Sequence, residues 1–394
     1  MRRFPLLALI AAILLNFCMG SLYGWSVLVA PLEESLGASR AAVSAVYSVA
    51  LVSFTFGMFM GAAVMRLAAM PVMGLVIFAV GGVGLGLAGL VESYGTLMAG
   101  YGVLFAFAGG VNYFLCIAAA STDLKLRRSI ALGIATASFA LGGLVWPGIL
   151  TPLLDALGPH GTLKVIAAVL LGAGLVGALL LWLSGARVAS AAETGEGAFQ
   201  NFFTERPRVV IAIWVGFVFL ALGGLMAVSH AAGIAADYGV PAGEAYLGPM
   251  LFNLGYIGGA LSAGFLSELF TGRRVLIGMG VLTAAPLFLL YAFPSGPMSL
   301  VALACVGAAF GAGTSCYPVT LVSYYGLPRM PAIFGRVCTG YGPAGLAAPF
   351  IAGRLHDMQG NYDLAVLIAA IVGVAGLLAN AALPRRATLA PARA

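Results

Sequence analysis

Ten side chains able to bind a ligand interrupt otherwise apolar stretches of this chain: Asn16, Tyr23, Asn112, Tyr113, Trp146, His230, Asn253, Tyr256, Tyr317 and Arg336. Their chemistry is recognition rather than bond-making. Amides and phenols donate and accept hydrogen bonds, an imidazole can carry a proton near neutral pH, and a guanidinium grips a carboxylate through two parallel bonds. Arg336 is the sharpest candidate, because it is the one basic residue inside an apolar stretch that is not clearly terminal. Away from water a guanidinium wants an anion. Its place about five residues into the stretch equally allows snorkelling, or pairing with Glu268 as a gate. Helical spacing puts Asn16, Gly20 and Tyr23 on one face, and Tyr101, Phe105, Asn112 and Cys116 on another, with Tyr113 adjacent. Each amide faces either a cavity or a neighbouring helix, where such a bond is worth about 0.6 kcal/mol. Tyr23, Trp146 and Tyr256 also suit packing or anchoring at an interface.

Catalysis has no constellation to stand on. The chain has no GxxxxGK[ST] phosphate loop and no GxSxG elbow, which excludes an internal ATPase domain and argues against an enzyme. Its five cysteines (Cys18, Cys116, Cys305, Cys316, Cys338) sit in apolar segments without a CxxC pair, so neither a disulfide framework, a metal site nor a cofactor is expected. The acids Glu33, Glu34, Glu92, Asp155, Asp237, Glu244, Asp357 and Asp363 map to one side of the apolar stretches or to their ends; Asp123, Glu193, Glu196, Glu205 and Glu268 map to the other. With no carboxylate midway, a buried acidic proton relay is not expected.

The elements that must position these residues follow from composition. The chain is 62% hydrophobic and 8% charged, with a mean hydropathy of +1.06, against roughly 25% charged in soluble domains. Lipid is therefore the solvent. The net charge of +6 is scattered over short loops without aromatic interleaving, which excludes nucleic acid as a partner. Twelve segments are long enough to cross a bilayer: 5–31, 41–65, 70–91, 95–121, 130–154, 162–184, 209–235, 244–268, 274–293, 297–321, 331–354 and 363–383. The first is too long for a signal-peptide core and reads as a retained span. With the N-terminus in the cytoplasm, fifteen basic residues fall inside and three (Arg40, Lys164, Arg354) outside, so both termini are expected to be cytoplasmic.

The chain also repeats itself. Residues 143–158 and 345–360 share seven of sixteen positions, including Gly143/Gly345, Pro147/Pro349, Asp155/Asp357 and Gly158/Gly360, at a constant offset of 202. The same offset lays Ser53, Gly57 and Gly61 over Gly255, Gly259 and Ala263. The expected organisation is an all-α membrane protein of two pseudo-symmetric six-helix bundles, 1–184 and 209–394, joined by a cytoplasmic loop at 185–208. Two similar apolar halves are the signature of a secondary transporter with its site between them. The glycine ladders and the matched prolines read as surfaces on which the halves rock. Asp155 and Asp357 read as caps on opposite sides of an outer gate.

This pattern resembles the major facilitator superfamily. Gly61 to Met65-Arg66, and Gly264-Phe-Leu-Ser-Glu268 followed by Gly272-Arg273-Arg274, are similar to the two copies of its loop motif, with Met65 in place of the first copy's aspartate. Gly20-Ser-Leu-Tyr23-Gly24-Trp25-Ser26-Val27, Pro31-Leu-Glu33-Glu34, Ser39-Arg40-Ala-Ala-Val-Ser44, Phe334-Gly335-Arg336 and Gly345…Pro349…Gly353 resemble the oxalate/formate antiporter and monocarboxylate transporter group. That group commonly has an arginine in helix 8; this chain has none from Leu247 to Leu266.

The resemblance implies alternating-access transport of a small organic anion across the inner membrane by exchange or uniport, by a monomer. Arg336 would be the counter-ion and the other nine residues named first the polar lining. Arg66, Asp123, Arg127, Glu268 and Arg329 would form an inner gate. The alternatives are an exporter of neutral or amphipathic molecules, and a non-transporting membrane sensor or assembly protein.

Overall fold

A computed structural model describes residues 5–120, 128–186, 207–325 and 330–384. They are helical almost throughout, as an apolar chain in lipid must be, because each backbone N–H and C=O has to be satisfied within its own segment. Nine helical stretches among the described residues are long and apolar enough to span. One of these, Ala137–Ser184, is two spans, because the helix running from Arg128 to Ser184 is broken at Gly158 (φ 67°, ψ 178°), a conformation that glycine adopts without strain, and restarts at Pro159. Leu247–Leu269 and the broken helix of residues 330–359 complete twelve. Helices 1 to 12 are numbered here over 5–36, 40–64, 70–90, 94–120, 128–157, 159–184, 207–237, 247–269, 272–292, 296–325, 330–359 and 363–381.

Three helices break where the two halves meet. Helix 1 passes through a 3-10 turn at Gly20–Gly24, helix 11 through another at Cys338–Gly340, and helix 7 leaves helical geometry at His230 (φ −123°, ψ 14°). Such breaks need protein rather than lipid around them, and they mark the places to look for function.

Within each half, glycines let helices touch backbone to backbone. A Cβ at Gly57 would strike the carbonyl of Phe107, and one at Gly259 that of Ala308. The repeated ladders thus seal helix 2 to helix 4 and helix 8 to helix 10. This corrects the expectation that they carry the rocking motion: they face their own half. The surfaces between halves are other faces of the same helices. Leu51 of helix 2 fills the space above Gly345 of helix 11, and Asn253 of helix 8 fills that above Gly143 of helix 5. Leu51 and Asn253 are repeat-mates, as are Gly143 and Gly345, so the two seams are built alike.

Candidate functional site

The middle of the molecule, where both halves contribute, is lined by tyrosine. Tyr23 (helix 1), Tyr113 (helix 4), Tyr256 (helix 8) and Tyr341 (helix 11) are half-buried. Their hydroxyls lie within electrostatic reach of one another, Tyr23 with Tyr341 and Tyr113 with Tyr256. Phe139 supports them from helix 5, with ring centroids 5.2 Å from Tyr23 and 5.9 Å from Tyr113. Phe54 lies 5.6 Å from Phe139 and 6.2 Å from Tyr113. Phe54 and Tyr256 are repeat-mates, as are Phe139 and Tyr341, so matched positions of the two halves bring aromatic rings to the cluster, with hydroxyls only on the second half's members. The Tyr256 hydroxyl lies 3.3 Å from that of Thr314. Tyr47, fully buried and stacked on Trp25, has a hydroxyl with no hydrogen-bond partner.

Arg336 is half-buried on helix 11, five residues before Tyr341. Its carbonyl accepts the Thr339 hydroxyl at 2.6 Å, and the Thr339 oxygen accepts Trp214 Nε1 at 3.1 Å. Arg336 therefore stands beyond the tyrosine cluster toward the end that carries the chain termini.

Other expected site residues lie elsewhere. Asn16 and Asn112 are fully buried and spent on each other: Asn112 Nδ2 donates to Asn16 Oδ1 at 3.0 Å, and Asn16 Nδ2 donates to the Ala135 carbonyl at 2.7 Å. They clasp helices 1, 4 and 5. Asn112→Ala is expected to cost roughly 1–2 kcal/mol, because it strands the Asn16 oxygen where no water reaches, and to lower the Tm of the purified protein while ligand affinity holds. Trp146 Nε1 donates to the Phe17 carbonyl at 3.1 Å, joining helices 5 and 1. Tyr317 pairs with Asn380 inside the second half, beside a small void also lined by Gly216. Asn253 Nδ2 donates across the seam to Gly143 O at 3.1 Å. Arg66 is exposed. Asp123, Arg127 and Arg329 lie outside the described residues, as does the side chain of Glu268.

His230 belongs to a second constellation, at the face opposite the chain termini. Here the hydrogen bonds between halves concentrate. Arg40, the first residue of helix 2, is its hub. Glu33 Oε2 accepts from Arg40 Nε at 2.7 Å and Nη2 at 2.6 Å. Arg40 Nη1 donates to Tyr362 Oη at 3.0 Å and lies 3.1 Å from His356 Nε2. The backbone N–H groups of Arg40 and Ala41 donate to the Asp357 carboxylate at 3.0 and 2.9 Å, while Ser39 Oγ accepts from Ala42. A carboxylate from helix 11 thus satisfies the orphan donors and the positive dipole end of helix 2. His230 lies 2.8 Å from Tyr362 Oη through Nδ1, and 3.0 and 3.3 Å from Pro349 O and Ser44 Oγ through Nε2. Gly353 allows the approach, since a Cβ there would meet Ser44 Oγ at 2.6 Å. Asp155, the repeat-mate of Asp357, is exposed, so the caps are asymmetric.

Sequence reasoning assigned no site role to Arg40, His356, Tyr362 or Tyr341. The repeat offset points to Tyr341 through Phe139; single charges at helix ends carry no comparable signal.

Two packed six-helix halves around a polar centre form a major facilitator-type fold, and the comparisons agree on that fold. No protein-family model matches the chain. It is 26% identical over 367 residues to an uncharacterised MFS-type transporter, YhjX, of Escherichia coli, covering 85% of this chain and 84% of that one. It is 25% identical over 303 residues to human monocarboxylate transporter 11, covering 73% and 63%. The fold matches a crystal structure of the nucleoside transporter NupG (TM-score 0.77, 13% identity, 95% and 99% coverage). It also matches an inward-facing bacterial homologue of the human lysosomal transporter Spinster (TM-score 0.73, 17% identity, 97% and 98% coverage).

Proposed function

We propose that this chain is an inner-membrane secondary transporter that carries a small organic anion, a mono- or dicarboxylate, by alternating access, as an exchanger or uniporter with both termini in the cytoplasm. The observation that carries this reading is Arg336, half-buried on helix 11 five residues before Tyr341 of the phenol cluster at the junction of the halves. A carboxylate would take the guanidinium's paired donors, and Tyr23, Tyr113, Tyr256 and Tyr341 would hold the rest by hydrogen bonds and ring faces. The likeness to a monocarboxylate transporter supports the substrate class. In the state described, the outer face is shut by the Arg40 constellation and the seams at Gly143 and Gly345. In the opposite state, Arg66, Asp123, Arg127, Glu268 and Arg329 would close the inner face by ion pairs. Asn16, Asn112, Trp146, Asn253 and Tyr317 would hold the lining in register.

Counterflow in proteoliposomes tests the reading. Protein loaded with a panel of small carboxylates should exchange at least one of them, and Arg336→Ala should cut that exchange at least tenfold. Arg336→Lys should recover little, since a point charge does not reproduce the planar fork. Full exchange by Arg336→Ala across the panel would defeat the counter-ion role. A second reading, export of neutral or amphipathic molecules, is favoured by one observation: the four tyrosines at the centre are uncharged, and the described part of helix 8 between Leu247 and Leu266 contributes Tyr256 there and carries no basic residue. Folded protein that exchanges no carboxylate but moves neutral aromatic compounds would establish it.

A further inference from the structure

We propose that the outer gate holds a two-histidine proton-binding site, His356 and His230, at which protons from the outer solution compete with gate closure. The hydrogen-bond directions carry this. A guanidinium only donates, so His356 Nε2, 3.1 Å from Arg40 Nη1, must offer its lone pair. The Pro349 carbonyl only accepts, so His230 Nε2 carries that ring's proton and Nδ1 accepts from Tyr362 Oη at 2.8 Å. Tyr362 in turn accepts from Arg40. The closed gate therefore fits two neutral imidazoles and no others. A proton on His356 sets a cation against the Arg40 cation. A proton on His230 sets two donors against the Tyr362 oxygen and leaves the phenol proton to find a new acceptor.

The surroundings are mixed in charge. Glu33 of helix 1, Asp237 at the end of helix 7 and Asp357 of helix 11 favour protonation of His356, whereas Arg40 of helix 2 and burial oppose it. Asp363 is turned to the Tyr238 hydroxyl at 2.8 Å, and Asp237 accepts the Tyr362 backbone N–H at 2.9 Å. His356 lies beyond the apolar part of its helix, and its pKa is lowered in the closed gate, by burial first and Arg40 second. A base whose pKa is depressed in the closed state favours closure above the ordinary imidazole value of about 6.5. That preference is lost as pH falls through this value toward the depressed one. Asp237 is shifted the other way, upward by burial, and is the acid that must be separated from the histidines.

The inference rests on the alternating-access reading and is independent of the substrate. Its test is a distance measurement without substrate. Spin labels at Glu34→Cys and Gln359→Cys, exposed positions in opposite halves, are introduced after replacing the five native cysteines, and the protein is titrated in nanodiscs from pH 8 to pH 5. The long-distance, open population should rise on the order of tenfold, the scale of one lost hydrogen bond to a charged group, with its midpoint below the ordinary imidazole value. His356→Gln, whose carbonyl still accepts from Arg40, should flatten most of the titration, and the double variant with His230→Gln should abolish it; Asp237→Asn should keep the titration and move its midpoint to lower pH, because a carboxylate that favours the His356 cation is gone. A pH-independent distance distribution in the parent protein would overturn the proposal, as would a titration that survives in the double histidine variant or disappears in Asp237→Asn.

Discussion

Arg40→Ala is expected to leave the face opposite the chain termini unable to stay shut. Arg40 ties Glu33, 7 residues back at the end of helix 1, to His356 in helix 11 and Tyr362 before helix 12, which lie 316 and 322 residues further along the chain. Its side chain is only 14% exposed, and that of Glu33 21%, so water screens the pair little. Tyr362 and Glu33 meet the guanidinium with an acceptor oxygen each. Hydrogen bonds to charged groups contribute about 1.5–3 kcal/mol each. Water takes over part of the loss once the gate loosens, so a net 2–3 kcal/mol is a fair expectation, roughly a hundredfold in the closed-to-open ratio. Cys338 offers a native reporter, since it lies at the break in helix 11 within electrostatic reach of Tyr113 at the centre. A membrane-impermeant maleimide added outside should label Cys338 far faster in Arg40→Ala than in the parent, with Cys338→Ser as the blank. Arg40→Lys should lie between, retaining the charge but not the three-way fork. Equal labelling rates in all three would mean that the seams at Gly143 and Gly345 hold the outer face without help.

The fold was legible because its rules are coarse. Length and hydropathy give spans, and the 202-residue offset gives two halves. The same offset even predicts the paired seams, once Leu51 and Asn253 are recognised as mates. The site was legible only in part, for a physical reason. A polar side chain in an apolar helix has to be satisfied, and sequence does not say whether a substrate or a neighbouring helix satisfies it. Asn16 and Asn112 satisfy each other across 96 positions, which their helical faces alone do not reveal. The gate was the least visible. Arg40 and His356 each read alone as an ordinary helix-end residue, and their meaning comes from contacts about 316 residues apart. His230 was legible as a polar group near a helix end, either solvated at a cavity mouth or able to carry a proton; its burial was not, because its partners Pro349 and Tyr362 lie 119 and 132 residues further along the chain.

Neighbouring glycines in helix 8 should give opposite outcomes to one substitution. A Cβ at Gly258 meets nothing within 4 Å, and the position is exposed toward lipid. Gly258→Val should therefore stay within about 0.5 kcal/mol of the parent. A Cβ at Gly259 meets Ala308 O at once, with the carbonyl carbon at 2.7 Å and Cα at 2.9 Å. These are backbone atoms, which have no rotamer to yield, so the usual overpacking cost of about 1–3 kcal/mol is a lower bound. Gly259→Val should yield little monodisperse protein and a sharply lowered Tm, and Gly57→Val should do the same through the Phe107 carbonyl in the first half. A monodisperse Gly259→Val with the parent Tm would show that helix 10 can withdraw from helix 8 at little cost. Gly311 sharpens the argument, because its Cβ would press on the backbone of Tyr256 itself. Gly311→Ala is the smallest change that moves a phenol of the central cluster without altering any side chain in it. If that cluster binds the substrate, Gly311→Ala should raise the transport KM several-fold at a loss of stability smaller than that of Gly259→Val; a lowered Tm with an unchanged KM would place Tyr256 in the packing alone.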